Sequence, residues 1–155
     1  LTAACAKSAQ FPFSSWLPRA MEGPTPSSAI FYGSLSVHLG LFLLIRTMPF
    51  WEHQLIARIM IGAVGIFTAA IGASIGRVQS SVKSQIAYAS VAQIGLMFLE
   101  VALGFKNFAL FHFAGNAFLR TYQLLVSPSA VSYLIREQCY HFVPKHEHIE
   151  TYIRK

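Results

Sequence analysis

Charge is scarce in this chain. Of 155 residues only 12% are charged, 12 Lys and Arg against 6 Asp and Glu, while 54% are hydrophobic and the mean hydropathy is +0.49. A soluble domain of this size carries about twice that charge, so the composition excludes an ordinary soluble globule and points to a membrane protein. Cysteine is scarcer still. Cys5 and Cys139 fit neither a disulfide framework nor a metal spacing such as C-x-x-C, and read as packing residues. A Gly-rich phosphate loop, a Ser/His/Asp nucleophile pattern, an iron–sulfur Cys cluster and a haem motif are all missing. Redox or hydrolytic chemistry is therefore not expected of these residues, nor is a bound cofactor or metal. The opening Leu1-Thr2-Ala3-Ala4-Cys5 has neither an initiating Met nor a signal pattern, which reads as an internal fragment. The net charge of +6 does not indicate nucleic acid, because the Lys and Arg residues are scattered along span ends and loops rather than gathered in one stripe. Lipid headgroups are the expected company.

What the chain has in quantity is apolar runs. A helix crossing ~30 Å of hydrocarbon needs about 20 mainly apolar residues, and segments near 26–46, 55–76, 82–105 and 107–127 approach that length. Residues 1–20 read as the second part of a further span, interrupted at Pro12 and ended by Pro18. Pro12 lacks a backbone donor and its ring clashes with the carbonyl of Ser8, which predicts a break just after Lys7. Pro128 is expected to act likewise on Leu124, with a half-helix over 129–143. The expected fold is thus all-α, a polytopic transmembrane bundle with discontinuous helices. Glu22-Gly23-Pro24-Thr25-Pro26 reads as a rigid turn, and Thr47 to His53, with Pro49 and Trp51, as an interfacial loop. Residues 144–155 form a polar tail, whose His146 and His148 do not make a convincing metal pair. Positive charge in nearly every loop leaves the orientation unassigned.

Against this apolar background several ionisable groups stand inside or at the edge of spans: Lys7, Lys83, Glu100, His112 and Arg120. Near the bilayer centre such a charge costs at least ~2.5–3.5 kcal/mol, so it is kept mainly where it handles ions or protons. His112, Asn116 and Arg120 lie four residues apart, and each step of four turns the helix by ~40°, giving a slowly winding polar stripe. An imidazole that titrates near neutrality, an amide that donates and accepts, and a fixed cation suit a file of water and a proton relay. Lys7 and Lys83 are candidate charge stores, since a desolvated Lys can lose its proton whereas Arg does not. Lys83 could instead snorkel from the start of its span. Glu100 reads as an interfacial carboxylate or as the counter-charge to a Lys. His38 reads as a lone packing histidine, about 240° around a regular helix from Tyr32.

Three motifs carry a resemblance. KSAQFPFSSWLPRAMEGPTPSSA (Lys7 to Ala29), SSVKSQIAYASVAQIG (Ser80 to Gly95) and FHFAGNAFLR (Phe111 to Arg120) resemble the antiporter-like membrane subunits shared by respiratory complex I, Mrp cation/proton antiporters and related proton-conducting transporters. The resemblance implies a larger inverted-repeat module with one broken helix per repeat and a central axis of Lys and His. Residues 1–143 would be part of that transmembrane domain. It places Lys7 beside the first break, Lys83 as the central bridging Lys, His112 as the first His of an H-x-x-x-H-x-x-x-K pattern, and Pro128 near the second break.

Departures from that pattern are specific. Asn116 replaces the second His, Arg120 the terminal Lys, Tyr32 a His after the PTP turn, and Ser81 an Asp before the bridging Lys. Most of these remove a titratable group, and Arg120 does not deprotonate in the usual range. On the departures alone, the sequence favours the divergent membrane subunits of bacterial inorganic-carbon uptake complexes, which pair with a large soluble zinc-containing protein, over an ordinary NADH:quinone oxidoreductase or Mrp subunit. The expected function is a proton- or Na⁺-conducting subunit in a bacterial plasma membrane, partnered by lipid and by other subunits of a membrane complex. The alternatives are a non-conducting structural module and, with no motif behind it, a membrane-bound enzyme.

Overall fold

The computed structural model describes residues 1–127. Pro128, the expected half-helix over 129–143 and the polar tail over 144–155 lie outside the described residues. Helix α1 (Thr2–Lys7) ends in a break, followed by a 3-10 turn over Phe13–Ser15 and α2 (Trp16–Ala20). A composite span follows, made of α3 (Thr25–Ser28), a π-helical stretch over Ala29–Leu35, a 3-10 turn over Ser36–His38 and α4 (Leu39–Trp51). Three full-length helices complete the described chain: α5 (Leu55–Arg77), α6 (Val82–Leu103) and α7 (Lys106–Val126). No strand occurs among the described residues.

Thr25–Trp51, Leu55–Arg77 and Val82–Leu103 are long and apolar enough to cross a membrane, and the chain is an integral membrane protein. Helix α7 has 21 residues, ~31 Å at 1.5 Å per residue, but its polar face dilutes its apolar composition.

Two expected boundaries move. Pro18 does not end the first element but lies inside α2, which continues to Ala20. It sits in the first turn of that helix, where its missing N–H has no intrahelical partner to lose. The expected interfacial loop over residues 47–53 is largely helical, because α4 runs through Pro49 to Trp51. There the Thr47 hydroxyl donates to the Leu43 carbonyl at 2.8 Å and the Trp51 indole donates to Thr47 Oγ1 at 3.3 Å. These bonds hold the last turn closed around the proline.

The break after Lys7 occurs where Pro12 predicts it, and its polar backbone groups find partners. Trp16 Nε1 donates to the Ala6 carbonyl at 3.1 Å, Gln10 Nε2 to the Ser8 carbonyl at 3.0 Å, and the Phe11 amide to Thr68 Oγ1 on α5 at 3.1 Å. Irregular backbone at membrane depth survives only when protein or enclosed water satisfies it in this way. Gly40 on α4 passes directly beneath the Ala4 carbonyl and Ser8, with no space for a Cβ.

The tightest helix pair is α5 against α6. A Cβ at Gly65 would lie 2.5 Å from the Gly95 carbonyl oxygen, and one at Gly95 would lie 2.6 Å from the Gly65 carbonyl oxygen. A Cβ at Gly72 would likewise lie 3.2 Å from the Ala92 nitrogen. Small residues let helix backbones approach, which is how helices associate in lipid, where no hydrophobic gain separates them from acyl chains. At one end of this seam Arg58 Nε donates to the Ala102 carbonyl at 2.8 Å. Helix α6 starts at an N-cap, Ser81, whose Oγ accepts from the Ser84 amide at 3.1 Å, and stops at Gly104 with φ 93°, a left-handed conformation open to glycine at no steric cost. Helix α7 packs on α6 and on the π-helical stretch, where Gly33 lies against Arg120, Thr121 and Leu124.

Candidate functional site

The face of α7 that turns toward the rest of the chain buries Ala109, Asn116, Arg120 and Leu124, with His112 half-buried, while Phe111, Phe118 and Tyr122 are exposed. The four-residue spacing thus does place His112, Asn116 and Arg120 along one side. Hydrogen bonds to α6, to the composite span and within α7 itself gather them into two clusters.

The first cluster centres on His112. Its Nδ1 lies 2.7 Å from Glu100 Oε1 and its Nε2 lies 2.9 Å from Gln93 Oε1, both on α6. An ionised carboxylate only accepts, so Nδ1 donates to Glu100. With Nε2 facing the Gln93 amide, the ring is held between a carboxylate and a group that can either donate or accept. Glu100 is therefore the counter-group of a histidine, not of a lysine and not a free interfacial carboxylate. Its second oxygen, Oε2, is buried and has no partner among the described residues, a position that calls for a water or a further donor.

The second cluster centres on Asn116. Its Nδ2 lies 3.1 Å from His38 Nε2, its Oδ1 accepts from Arg120 Nε at 3.2 Å, and Arg120 Nη1 donates to Gln123 Oε1 at 2.7 Å. His38, Asn116 and Arg120 are 2%, 5% and 8% exposed, so solvent hardly competes for these bonds. The His38 ring stands edge-on to Phe113, with centroids 4.9 Å apart. Among the described residues Arg120 has no carboxylate partner. His112 and Asn116 bond to different partners and stand one helical turn, ~6 Å, apart along the axis. A water is the natural bridge across such a step.

The remaining sequence candidates lie apart from these clusters. Lys7, the last residue of α1, is exposed and makes no hydrogen bond or ion pair among the described residues. Lys83 is half-buried in the first turn of α6, and its Nζ donates to the Gly23 carbonyl at 3.1 Å. A cation there opposes the positive end of the helix dipole, and the carbonyl offsets part of that cost. Tyr32 packs edge-on to Trp16 at 6.1 Å. Pro12 occupies the first break, and Ser81, the departure beside Lys83, serves as a helix cap.

Two polar residues, Gln93 and Gln123, gain importance only from the structure, and His38, a secondary polar candidate in the sequence, joins the second cluster. The 240° offset between Tyr32 and His38 holds for a regular α-helix, but π-helical and 3-10 segments intervene and change the angular register. Gln93 is legible in principle, since it stands seven residues before Glu100 and so shares a face of α6. Gln123 stands three residues after Arg120, another spacing that brings side chains together.

Fold and site define a multi-span membrane protein with a broken helix and a buried polar file. A family model described as NADH:quinone oxidoreductase/Mrp antiporter, TM, matches residues 1–138, and the chain belongs to this family. It is 41% identical over 138 residues, 89% of its length, to NADH-ubiquinone oxidoreductase chain 5 of Rhizopus stolonifer, of which it covers 21%. It is 40% identical over 87% of its length to the chain 5 protein of Metridium senile, covering 22% of it. To NADH-quinone oxidoreductase subunit L of Rhodobacter capsulatus it is 38% identical over 87% of its length, covering 19%. The chain thus spans about a fifth of the length of the curated relatives it matches.

Proposed function

We propose that this chain is part of a membrane subunit that conducts protons through an ion-translocating complex of the NADH:quinone oxidoreductase type, along the polar face of α7. One observation carries the reading. The residues His112, Asn116 and Arg120 line up on the face of α7 that packs against the other helices, with polar partners supplied to His112 by α6 and to Asn116 by the composite span. Groups so costly in hydrocarbon are retained where charge moves. Protons suit the file better than Na⁺, because hard cations require several converging oxygens, and this file is rich in nitrogen donors and holds a guanidinium. Lys7 and Lys83 lie apart from this file and enter the reading only as charge stores that exchange protons with it through water, Lys83 by leaving the Gly23 carbonyl. The type of complex is inferred from the relatives' names, with other subunits and lipid as partners and the bilayer an energy-coupling membrane such as the bacterial plasma membrane.

The test is proton uptake by the complete complex in liposomes, read with a pH-sensitive dye. His112→Ala and Lys83→Ala are expected to abolish it with the complex still assembled. Full uptake in both variants would sink the reading and leave the non-conducting module in its place.

A second reading, a membrane subunit that energises inorganic-carbon uptake beside a large soluble zinc-containing protein, is favoured by the replacements at Tyr32, Ser81, Asn116 and Arg120. Affinity purification of the complete protein separates the two. Quinone-oxidoreductase subunits in the eluate support the first, and a zinc-binding soluble partner supports the second.

A further inference from the structure

We infer that His38 is a proton-carrying member of the α7 file and that the Asn116 amide is a two-position switch coupling its protonation to Arg120. The inference rests on the proton-conduction reading above and adds to it a residue and a coupling. Its starting point is a constraint on hydrogen-bond polarity. A guanidinium has donors and no acceptor, so Arg120 Nε can bond Asn116 only through Oδ1, at 3.2 Å. That fixes the amide. Its Nδ2 then faces His38 Nε2 at 3.1 Å and must donate to it. His38 Nε2 is the acceptor, so the ring is neutral with its proton on Nδ1.

Protonation of His38 reverses this polarity. When a hydronium O–H bond breaks and its proton forms an N–H bond at Nε2, leaving water, that N–H meets the Asn116 N–H. Both groups are buried, so the clash of donors is not relieved by solvent. Half a turn of the amide relieves it: Oδ1 accepts from Nε2–H and Nδ2 swings toward Arg120. There it opposes Nε–H, and Arg120 gives up this bond while its Nη1 keeps Gln123 Oε1, at 2.7 Å in the structure. Loss of the proton to a water restores the first arrangement. One proton enters and one leaves, and the guanidinium stays charged throughout. The imidazole is held for this role by Phe113, edge-on at 4.9 Å, and is presented by a 3-10 turn that follows a π-helical stretch, irregularities that recur at functional positions in helices.

The elements packed against this turn bring few competing charges. Helix α1 supplies buried Cys5 and exposed Lys7, and α6 supplies Lys83, bonded to Gly23, half-buried Tyr88, and Glu100, bonded to His112. The flanks of the composite span add Tyr32, against Trp16, and exposed Arg46. Helix α7 brings Arg120, one amide away.

The test uses the complete complex in liposomes. Infrared difference spectra across pH, with isotope-labelled histidine and asparagine, are expected to show the His38 imidazole and the Asn116 carbonyl changing at one midpoint. A His38 that stays neutral wherever the protein conducts, or that protonates with the Asn116 band unmoved, overturns the inference. His38→Gln keeps a hydrogen-bonding group but cannot titrate, and is expected to lower proton uptake by about 100-fold, the usual worth of a placed acid–base group. Asn116→His in that background is expected to restore most of it. Wild-type uptake in His38→Gln overturns the carrier role. If His38→Gln does not assemble, the wild-type spectra decide. If the wild-type complex moves no protons, the conduction reading falls, while the paired bands still report whether the switch exists.

Discussion

The two faces of α6 are held to their neighbours by opposite means. Against α5 the contact is backbone to backbone, with Gly65 and Gly95 reciprocally placed so that neither admits a Cβ. Against α7 the contact includes side chains reaching across: Gln93 and Glu100 bond His112, and beyond them His38 bonds Asn116. In lipid, close packing and interhelical hydrogen bonds are both routes to association. Close packing tolerates no rearrangement, whereas amides and imidazoles can change partners. The α5–α6 seam therefore fixes the architecture, and this leaves the α7 seam free to hold polar groups that can change partners.

The comparison is broken most forcefully at the rigid seam. Gly95→Val would drive a β-branched side chain into the Gly65 carbonyl and the Ala69 backbone, 2.9 Å from its nitrogen. Overpacking of this kind costs ~3 kcal/mol or more when backbone cannot yield. The expected outcome is loss of folded protein in graded denaturation of the detergent-solubilised complex. Gly115, where an added methyl would meet nothing within 4 Å, supplies the control, and Gly115→Ala is expected to leave the denaturation curve in place.

The rigid seam is only partly legible in the sequence. Length and apolarity locate α5 and α6, and Pro12 locates the break, because these follow from local chemistry. Which glycines meet does not follow from spacing alone, since it depends on how two helices cross. The polar seam divides in the same way. The stripe His112, Asn116, Arg120 is a property of one helix and can be read from its period. Its partners are properties of neighbours: no spacing relates Glu100 to His112 on a different helix, so a lysine is as plausible a counter-charge until the helices are packed. His38 reads as a packing residue for as long as its helix is taken to be regular, and nothing in SLSVHLGLF announces a π-helical stretch upstream.

At the polar seam the largest effect is expected from Asn116→Leu. It leaves Arg120 Nε and His38 Nε2 without the partners they have in the fold, and a buried unsatisfied polar group costs about 1–3 kcal/mol. The fold is expected to weaken by about 2 kcal/mol, less than at Gly95, while proton uptake is lost. If Asn116→Leu unfolds the protein as thoroughly as Gly95→Val, the polar seam is structural and the contrast between the seams fails. Glu100→Gln should do less. It keeps an acceptor for His112 Nδ1 but removes the charge, so about 1.5 kcal/mol of a charge-assisted bond is at stake. Denaturation is expected to shift slightly and proton uptake to fall markedly, which separates charge from shape at this position.

The smallest effect belongs to Gln93, and it sharpens the contrast most finely. Its oxygen faces His112 Nε2 at 2.9 Å while Glu100 holds Nδ1. A terminal amide can turn to offer oxygen or nitrogen, so Gln93 can follow Nε2 whether that atom carries a proton or not. Glu100 cannot follow, because an ionised carboxylate only accepts. Removing the adaptable partner should therefore leave the His112–Glu100 pair intact and cost one ordinary hydrogen bond, about 1 kcal/mol. Gln93→Ala is expected to keep the complex assembled and slow proton uptake only several-fold, because water can take the place of an amide at a half-buried ring. A loss as large as that in Glu100→Gln would mean that the amide, not the carboxylate, governs the proton on His112.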